Sequence, residues 1–219
     1  MPIRAITFDV GGTLIEPWPS VGHIYAAVAA RHGLRNMPVE TLNRQFAAAW
    51  KNLVNFTHTR SEWSNLVNKT FLGLTHTPLD ENLFSELYRE FGRAEAWRIF
   101  DDVLTALEFL KSRRLKLEII SNWDERLRPL LHQLNLDRFF QTIVVSCEAG
   151  QCKPSPAIFK HAAKSLARPP DSILHIGDNL DLDVHGATSA GFQALLLARG
   201  SVVTPGQLNS LDQLPEIFT

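Results

Sequence analysis

Three short apolar runs, far apart in the chain, each end in small polar or acidic residues. Ile3 to Phe8 leads into Asp9-Val10-Gly11-Gly12-Thr13, Leu117-Glu118-Ile119-Ile120 into Ser121-Asn122, and Ile173-Leu174-His175-Ile176 into Gly177-Asp178-Asn179. A short apolar run bounded by turn residues reads as a buried strand. A fourth run, Ile143-Val144-Val145, precedes the loop that carries Lys153-Pro154. From Phe100 onward helical patterns alternate with these strands: Val103 to Arg113, Glu125 to Leu134 with Pro129 shortening or kinking it, Ala157 to Leu166, and Leu182 to Ala190. A further strand is predicted over Gln193 to Leu197, and the tail holds a last short helix. This alternation predicts an α/β fold with a doubly wound, mostly parallel, Rossmann-like sheet.

Between Trp18 and Trp97 no strand pattern occurs. Apolar positions recur at helical spacing over His23 to His32, from Pro38 through Leu53, over Ser61 to Leu72, and from Asp80 through Phe91. Four helices between the first and second strands of a sheet predict an inserted four-helix bundle over residues 17–97, with the α/β core formed by 1–16 and 98–219.

Composition excludes several function classes. At 219 residues with 45% hydrophobic and 21% charged residues, the chain suits one core and a modest second domain. A formal net charge of −1 gives no footprint for nucleic acid or an anionic membrane. No apolar run approaches the ~20 residues that cross a bilayer, and the first strand follows Met1 too closely for a signal peptide. A cytoplasmic protein, monomer or homodimer, is the expectation. Cys147 and Cys152 lack companion histidines at ligand spacing and predict neither a zinc site nor a disulfide framework.

In a parallel sheet ligands bind outside the carboxyl ends of the strands, so Asp9, Ser121, Asn122, Lys153 and Asp178 are expected at one crevice. Each alone has a bland alternative, a solvated aspartate beside a Gly-Gly turn or a Lys-Pro in an exposed loop. Their order together resembles the haloacid dehalogenase-like hydrolase superfamily, whose four motifs run Asp-x-Asp-Gly-Thr, Ser/Thr, Lys, and Gly-Asp with a further Asp. The last is matched by Gly177-Asp178-Asn179-Leu180-Asp181-Leu182-Asp183, and with the helical insert the resemblance covers nearly the whole chain.

The resemblance implies a Mg²⁺-dependent phosphomonoesterase acting on a small phosphorylated substrate. Asp9 would be the nucleophile, with Ser121 and Lys153 acting beside it. Asp9, Asp178 and the main-chain carbonyl of Gly11 would hold Mg²⁺, a cation that takes hard oxygen ligands, and Asp183 would orient Lys153 or metal-bound water. Gly12, Thr13, Asn122 and Trp123 would line the phosphate and substrate, and the helical insert would be a cap that selects substrates. One position departs from the pattern. The family's second aspartate, which protonates the leaving alcohol, is Gly11 here. A general acid contributes about 10²–10⁴-fold, so activity is expected to be weak on alkyl phosphates and better on acyl or aryl phosphates. Glu16 and Asp124 are the candidate deputies. The alternatives left open are a catalytically impaired binding or regulatory protein, 2-haloacid dehalogenation, against which Asp178 argues, and phosphonatase-type chemistry through a lysine such as Lys51 or Lys69.

Overall fold

The structure is a computed structural model, and it describes residues 2–53, 56–75, 79–201, 204 and 206–218. The chain divides into two compact units, Met1–Glu16 with Ile99–Thr219, and Pro17–Arg98.

The elements begin with β1 (Ala5–Phe8) and β2 (Ile15–Pro17), followed by helices α1 (Val21–Arg31), α2 (Val39–Lys51), α3 (Arg60–Thr70) and α4 (Glu81–Glu90). Next come β3 (Trp97–Ile99), α5 (Val103–Ser112), β4 (Lys116–Ser121), α6 (Leu127–Gln133), β5 (Thr142–Val145), α7 (Ser146–Ala149) and α8 (Pro156–Leu166). The chain finishes with β6 (Ile173–Gly177), α9 (Gly186–Ser189), β7 (Gln193–Leu197), β8 (Gln207–Leu208) and α10 (Leu214–Ile217). Strands β2 and β3 pair as a two-stranded ribbon where the chain passes from one unit to the other and back. Three residues each, they are too short to leave a period in the sequence.

The larger unit is built on a six-stranded sheet in the order β5-β4-β1-β6-β7-β8. Every pairing in it is parallel. Strand β1 lies between β4 and β6, so the chain winds outward first to one side of it and then to the other. That reversal opens a crevice at the carboxyl ends of these strands. β1 and β6 are buried along their whole length, which is why both read as apolar runs. Helix α8 packs Ile158, Phe159, Ala162 and Leu166 against Ala5, Ile120 and Ile173 of the sheet. Pro129 confines α6 to Leu127–Gln133, since an interior proline lacks the N–H that a longer helix needs.

One predicted element has a different form. In place of a helix over Leu182 to Ala190, the chain makes a π-helical turn, Leu180–His185, which runs into α9. The Asn179 side chain accepts from the N–H groups of Asp181 and Leu182 at 3.0 Å each, and the Asn179 carbonyl accepts from the Asp183 N–H at 2.9 Å. The widened turn folds the Asp183 carboxylate back to accept from the Asn179 N–H at 3.0 Å. Wide turns of this kind are frequent at functional sites.

The smaller unit packs α1 to α4 around Tyr25, Leu42, Phe71, Leu83, Phe84 and Leu87. Its helix ends follow local chemistry. Ser20 caps α1, Thr59 forms a capping box with Glu62 on α3, and Asp80 caps α4. Gly22 lets α1 and α2 approach closely, because a Cβ there would press on the Val39 carbonyl and the Asn43 amide.

Candidate active site

Asp9 follows β1 and is 8% exposed. Its Oδ1 accepts from the Ser121 hydroxyl at 3.0 Å and from the Lys153 ammonium at 2.6 Å. Ser121 is delivered by the end of the neighbouring strand β4. Lys153 comes from the loop between α7 and α8, and its main chain is fastened by Asn122. The Asn122 amide accepts from the Lys153 N–H at 2.7 Å and donates to the Lys153 carbonyl at 2.9 Å. Asn122, predicted beside the phosphate, thus spends its amide on aiming Lys153.

Asp183 receives the other side of Lys153. Its Oδ1 accepts from the Lys153 ammonium and from His175 Nε2, the latter at 3.1 Å. His175 is fully buried on β6, beneath an edge-on Phe159 ring, and its Nδ1 lies 2.8 Å from the Thr7 hydroxyl. Burial pushes the His175 imidazolium down, outweighing the opposing pull of Asp183, so the ring is neutral. A neutral ring has one N–H. Asp183 accepts only, so Nε2 carries the proton and Thr7 donates to Nδ1. The chain of donors therefore runs Thr7 to His175 to Asp183. Sequence reading missed Thr7 and His175. They share a face because the parallel register sets Thr7 opposite His175.

Charges at this end of the sheet are held apart from their ordinary values. Burial pulls the Lys153 pKa down, but Asp183 and then Asp9 outweigh it and hold the ammonium above the usual lysine range. Burial would likewise raise Asp183, yet Lys153 and His175 hold it well below the carboxylate range. Asp9 is pushed up, by burial first and then by Asp183, with Lys153 opposing. Asp178 is pushed up to about 7, by desolvation and then by the charges of Asp9 and Asp183.

Asp9, Asp178 and Asp183 bring carboxylate oxygens within 4.8 Å of one another. Three carboxylates against the single ammonium of Lys153 leave a net charge of −2 when all are ionised. Hard oxygen donors with that excess charge fit Mg²⁺. Gly12 has φ +77°, and a Cβ there would run into the Asp178 carboxylate. Glycine is thus required both by the backbone and by the acidic cluster.

The remaining predicted residues have particular fates. The Gly12 N–H donates to the Ile15 carbonyl at 2.8 Å. Thr13 is fully buried and its hydroxyl has no hydrogen-bond partner among the described residues, so it is sealed within the turn. Asp124 is 1% exposed and bound to the Arg126 guanidinium at 2.6 Å, which removes it as a deputy acid. Trp123 lays its ring against Gly11, where a Cβ would stand 3.2 Å from Cζ3. In the smaller unit Arg60 donates to Ser85 at 2.6 Å and lies over the rings of Phe84 and Tyr88, at 5.0 and 4.9 Å.

The switch point of this parallel sheet thus gathers an aspartate, a serine and a lysine beside two further aspartates, the arrangement expected of a haloacid dehalogenase-like site. The sequence pattern of the haloacid dehalogenase-like hydrolases matches residues 3–191, and the chain belongs to that family. Among its relatives is haloacid dehalogenase-like hydrolase domain-containing protein 3 of Danio rerio, 32% identical, with 99% of this chain and 92% of the relative covered. The fold is shared with the Bacillus subtilis protein YfnB, in a crystal form bound to magnesium, at a TM-score of 0.78 and 20% identity over 99% of each chain. It is shared equally with L-2-haloacid dehalogenase from Xanthobacter autotrophicus with chloropropionic acid covalently bound, at a TM-score of 0.77 and 19% identity, covering 99% of this chain and 98% of that one.

Proposed function

We propose that this hydrolase is a Mg²⁺-dependent phosphohydrolase that turns over a small phosphorylated metabolite through an aspartyl-phosphate on Asp9. The observation that carries the reading is the acidic cluster. Asp178 and Asp183 stand with Asp9 within 4.8 Å, a donor set that attack on a carbon–halogen bond does not need and that attack on a phosphate dianion does. Asp9 and Asp178, with the Gly11 carbonyl, would hold Mg²⁺. When bound, the ion supplies positive charge between the Asp9 carboxylate and the phosphate oxygens.

The chain's own residues do the rest. Ser121 and Lys153 both donate to Asp9 Oδ1, which fixes the carboxylate and leaves Oδ2 as the attacking oxygen. The Lys153 ammonium, kept charged by Asp183, faces the charge that builds on phosphorus oxygens during transfer. His175, Thr7 and the Asn179 N–H hold Asp183, and Asn122 holds Lys153, so the positive charge is aimed before substrate arrives. A reducing cytoplasm suits the two free thiols, Cys147 and Cys152.

Turnover of a phosphate-ester panel with and without Mg²⁺ tests the reading, with Asp9→Asn as control. Expected is turnover that chelation abolishes and Mg²⁺ restores, lost by about 10³-fold or more in Asp9→Asn. Chloride release from a 2-haloacid, with every phosphate ester untouched, would overturn it.

A further inference from the structure

Gly11 stands two residues beyond Asp9, and its φ lies outside the left-handed region. The backbone there would accept any L residue, so the turn does not explain a glycine. The neighbouring ring does. A Cβ on Gly11 would stand 3.2 Å from Trp123 Cζ3 and 3.9 Å from Cη2, closer than a side chain tolerates unless the indole gives way. The indole is set on a pinned backbone. The Trp123 N–H donates to Ser146 Oγ at 3.0 Å, and its carbonyl accepts from the same hydroxyl at 3.1 Å and from the Cys147 N–H at 3.3 Å.

The two residues thus form one packed wall that begins two positions beyond Asp9, and the indole edge that meets Gly11 is aprotic. Gly11 has no side chain, and Cζ3 and Cη2 carry only C–H. Asp124, the next residue along, is engaged by the Arg126 guanidinium at 2.6 Å.

We propose that Gly11 and Trp123 together select phosphate compounds whose leaving oxygen departs as a stable anion and presents a flat face, namely aryl and acyl phosphates. This rests on the phosphohydrolase reading above. In the step, Asp9 Oδ2 forms a bond to phosphorus while the bond from phosphorus to the leaving oxygen breaks. The electron pair of that bond leaves as aryloxide or carboxylate, which takes any proton from bulk water. Water then attacks the phosphorus, the bond to Asp9 breaks with its electron pair returning to the carboxylate, and the water's proton passes to bulk solvent or to the released phosphate. No donor in the wall is called on. The indole offers the leaving group a face on which to stack.

The test is a series of phenyl phosphates graded by leaving-group acidity, with acetyl phosphate and an alkyl phosphate, assayed with Mg²⁺ on wild type, Gly11→Asp, Trp123→Ala and the double variant. Expected for wild type is a fall of about 10²–10⁴-fold from the most acidic to the least acidic leaving group. The double variant should flatten that dependence and Gly11→Asp alone should not, because the indole occupies the space its carboxyl needs. Trp123→Ala should keep the steep dependence and lose aryl turnover by about tenfold relative to acetyl phosphate.

A flat wild-type series with good turnover overturns this inference and leaves the phosphohydrolase reading standing. Absence of turnover on every compound overturns both. Thermal midpoints of the four proteins, with Gly11→Ala added, test the packing independently of activity. A loss in Gly11→Asp and Gly11→Ala that Trp123→Ala recovers supports the shared wall, and additive losses overturn it.

Discussion

Glu118 is a glutamate sealed inside the sheet unit. It is 0% exposed, one carboxyl oxygen accepts from Ser165 at 2.6 Å, and the other has no hydrogen-bond partner among the described residues. Burial, with Ser165 opposing it, pushes its pKa from 4.5 to about 7. The folded state therefore binds this proton more tightly than the unfolded chain does, and the linked stability is fully present below pH 4.5. It is lost as pH rises to about 7 and is level above that. At about 1.4 kcal/mol per unit the change is about 3 kcal/mol. Urea midpoints of Glu118→Gln and wild type, measured between pH 4.5 and 8, should diverge in favour of the variant by up to that amount and run parallel above pH 7. The same scale explains the site. Asp183 and Lys153 each hold the other in its charged form. Glu118 has no ion-pair partner among the described residues and stays protonated into the neutral range.

At the scale of elements, the π-helical turn and α9 decide where the site's second carboxylate stands. A helix with ordinary spacing after Asn179 would not return Asp183 to the Asn179 N–H. Gly186, which opens α9, lies so close to α8 and its loop that a Cβ would stand 2.8 Å from Phe159 Cε2 and 3.0 Å from Pro154 Cα. The residue before Pro154 is Lys153. Gly186→Ala should overpack this junction, at a cost of about 1–3 kcal/mol seen in a denaturant midpoint. It should also lower kcat through displacement of the lysine, with the far-ultraviolet circular dichroism unchanged. Helix stops, by contrast, are local. Gly33 and Gly73 take φ of +83° and +76° at the ends of α1 and α3, where the sequence already marks them.

At the scale of the whole molecule, remote parts of the sheet unit are tied through Asp102, just before α5. Its carboxylate accepts from the Arg199 guanidinium at 2.8 and 2.9 Å, from Ser210 Oγ at 2.9 Å and from the Leu211 N–H at 2.7 Å. Arg199 also donates to the Thr13 carbonyl at 2.8 Å, so the turn that follows Asp9 and the tail share one node. Burial would raise the Asp102 pKa, but Arg199, Leu211 and Ser210 outweigh it and hold the carboxylate below its ordinary range. Its stabilisation is present above the ordinary aspartate pKa and is lost as pH falls through the lowered one. Asp102→Asn should cost about 2–3 kcal/mol at neutral pH in chemical denaturation. That difference should shrink in acid as the wild-type carboxylate takes up its proton.

Five of the six strands of the sheet, all but β8, the places of Asp9, Ser121 and Asp178 at or just beyond strand ends, and most helix bounds were legible in the sequence by itself. Apolar period and turn chemistry act over a few neighbouring residues, and a parallel sheet gathers its strand ends by rule. What Asn122, Trp123, Thr7, His175 and Glu118 do was decided only by the tertiary structure. Thr7 faces both Glu118 and His175 through strand register, and Arg199 meets Asp102 across 97 positions. Such pairings depend on the distance between side chains in space, and neither spacing along the chain nor residue type carries that distance. The glycine at position 11 shows the difference most clearly. The family resemblance marks an acid as missing there, and the fold supplies the indole that stands against the gap.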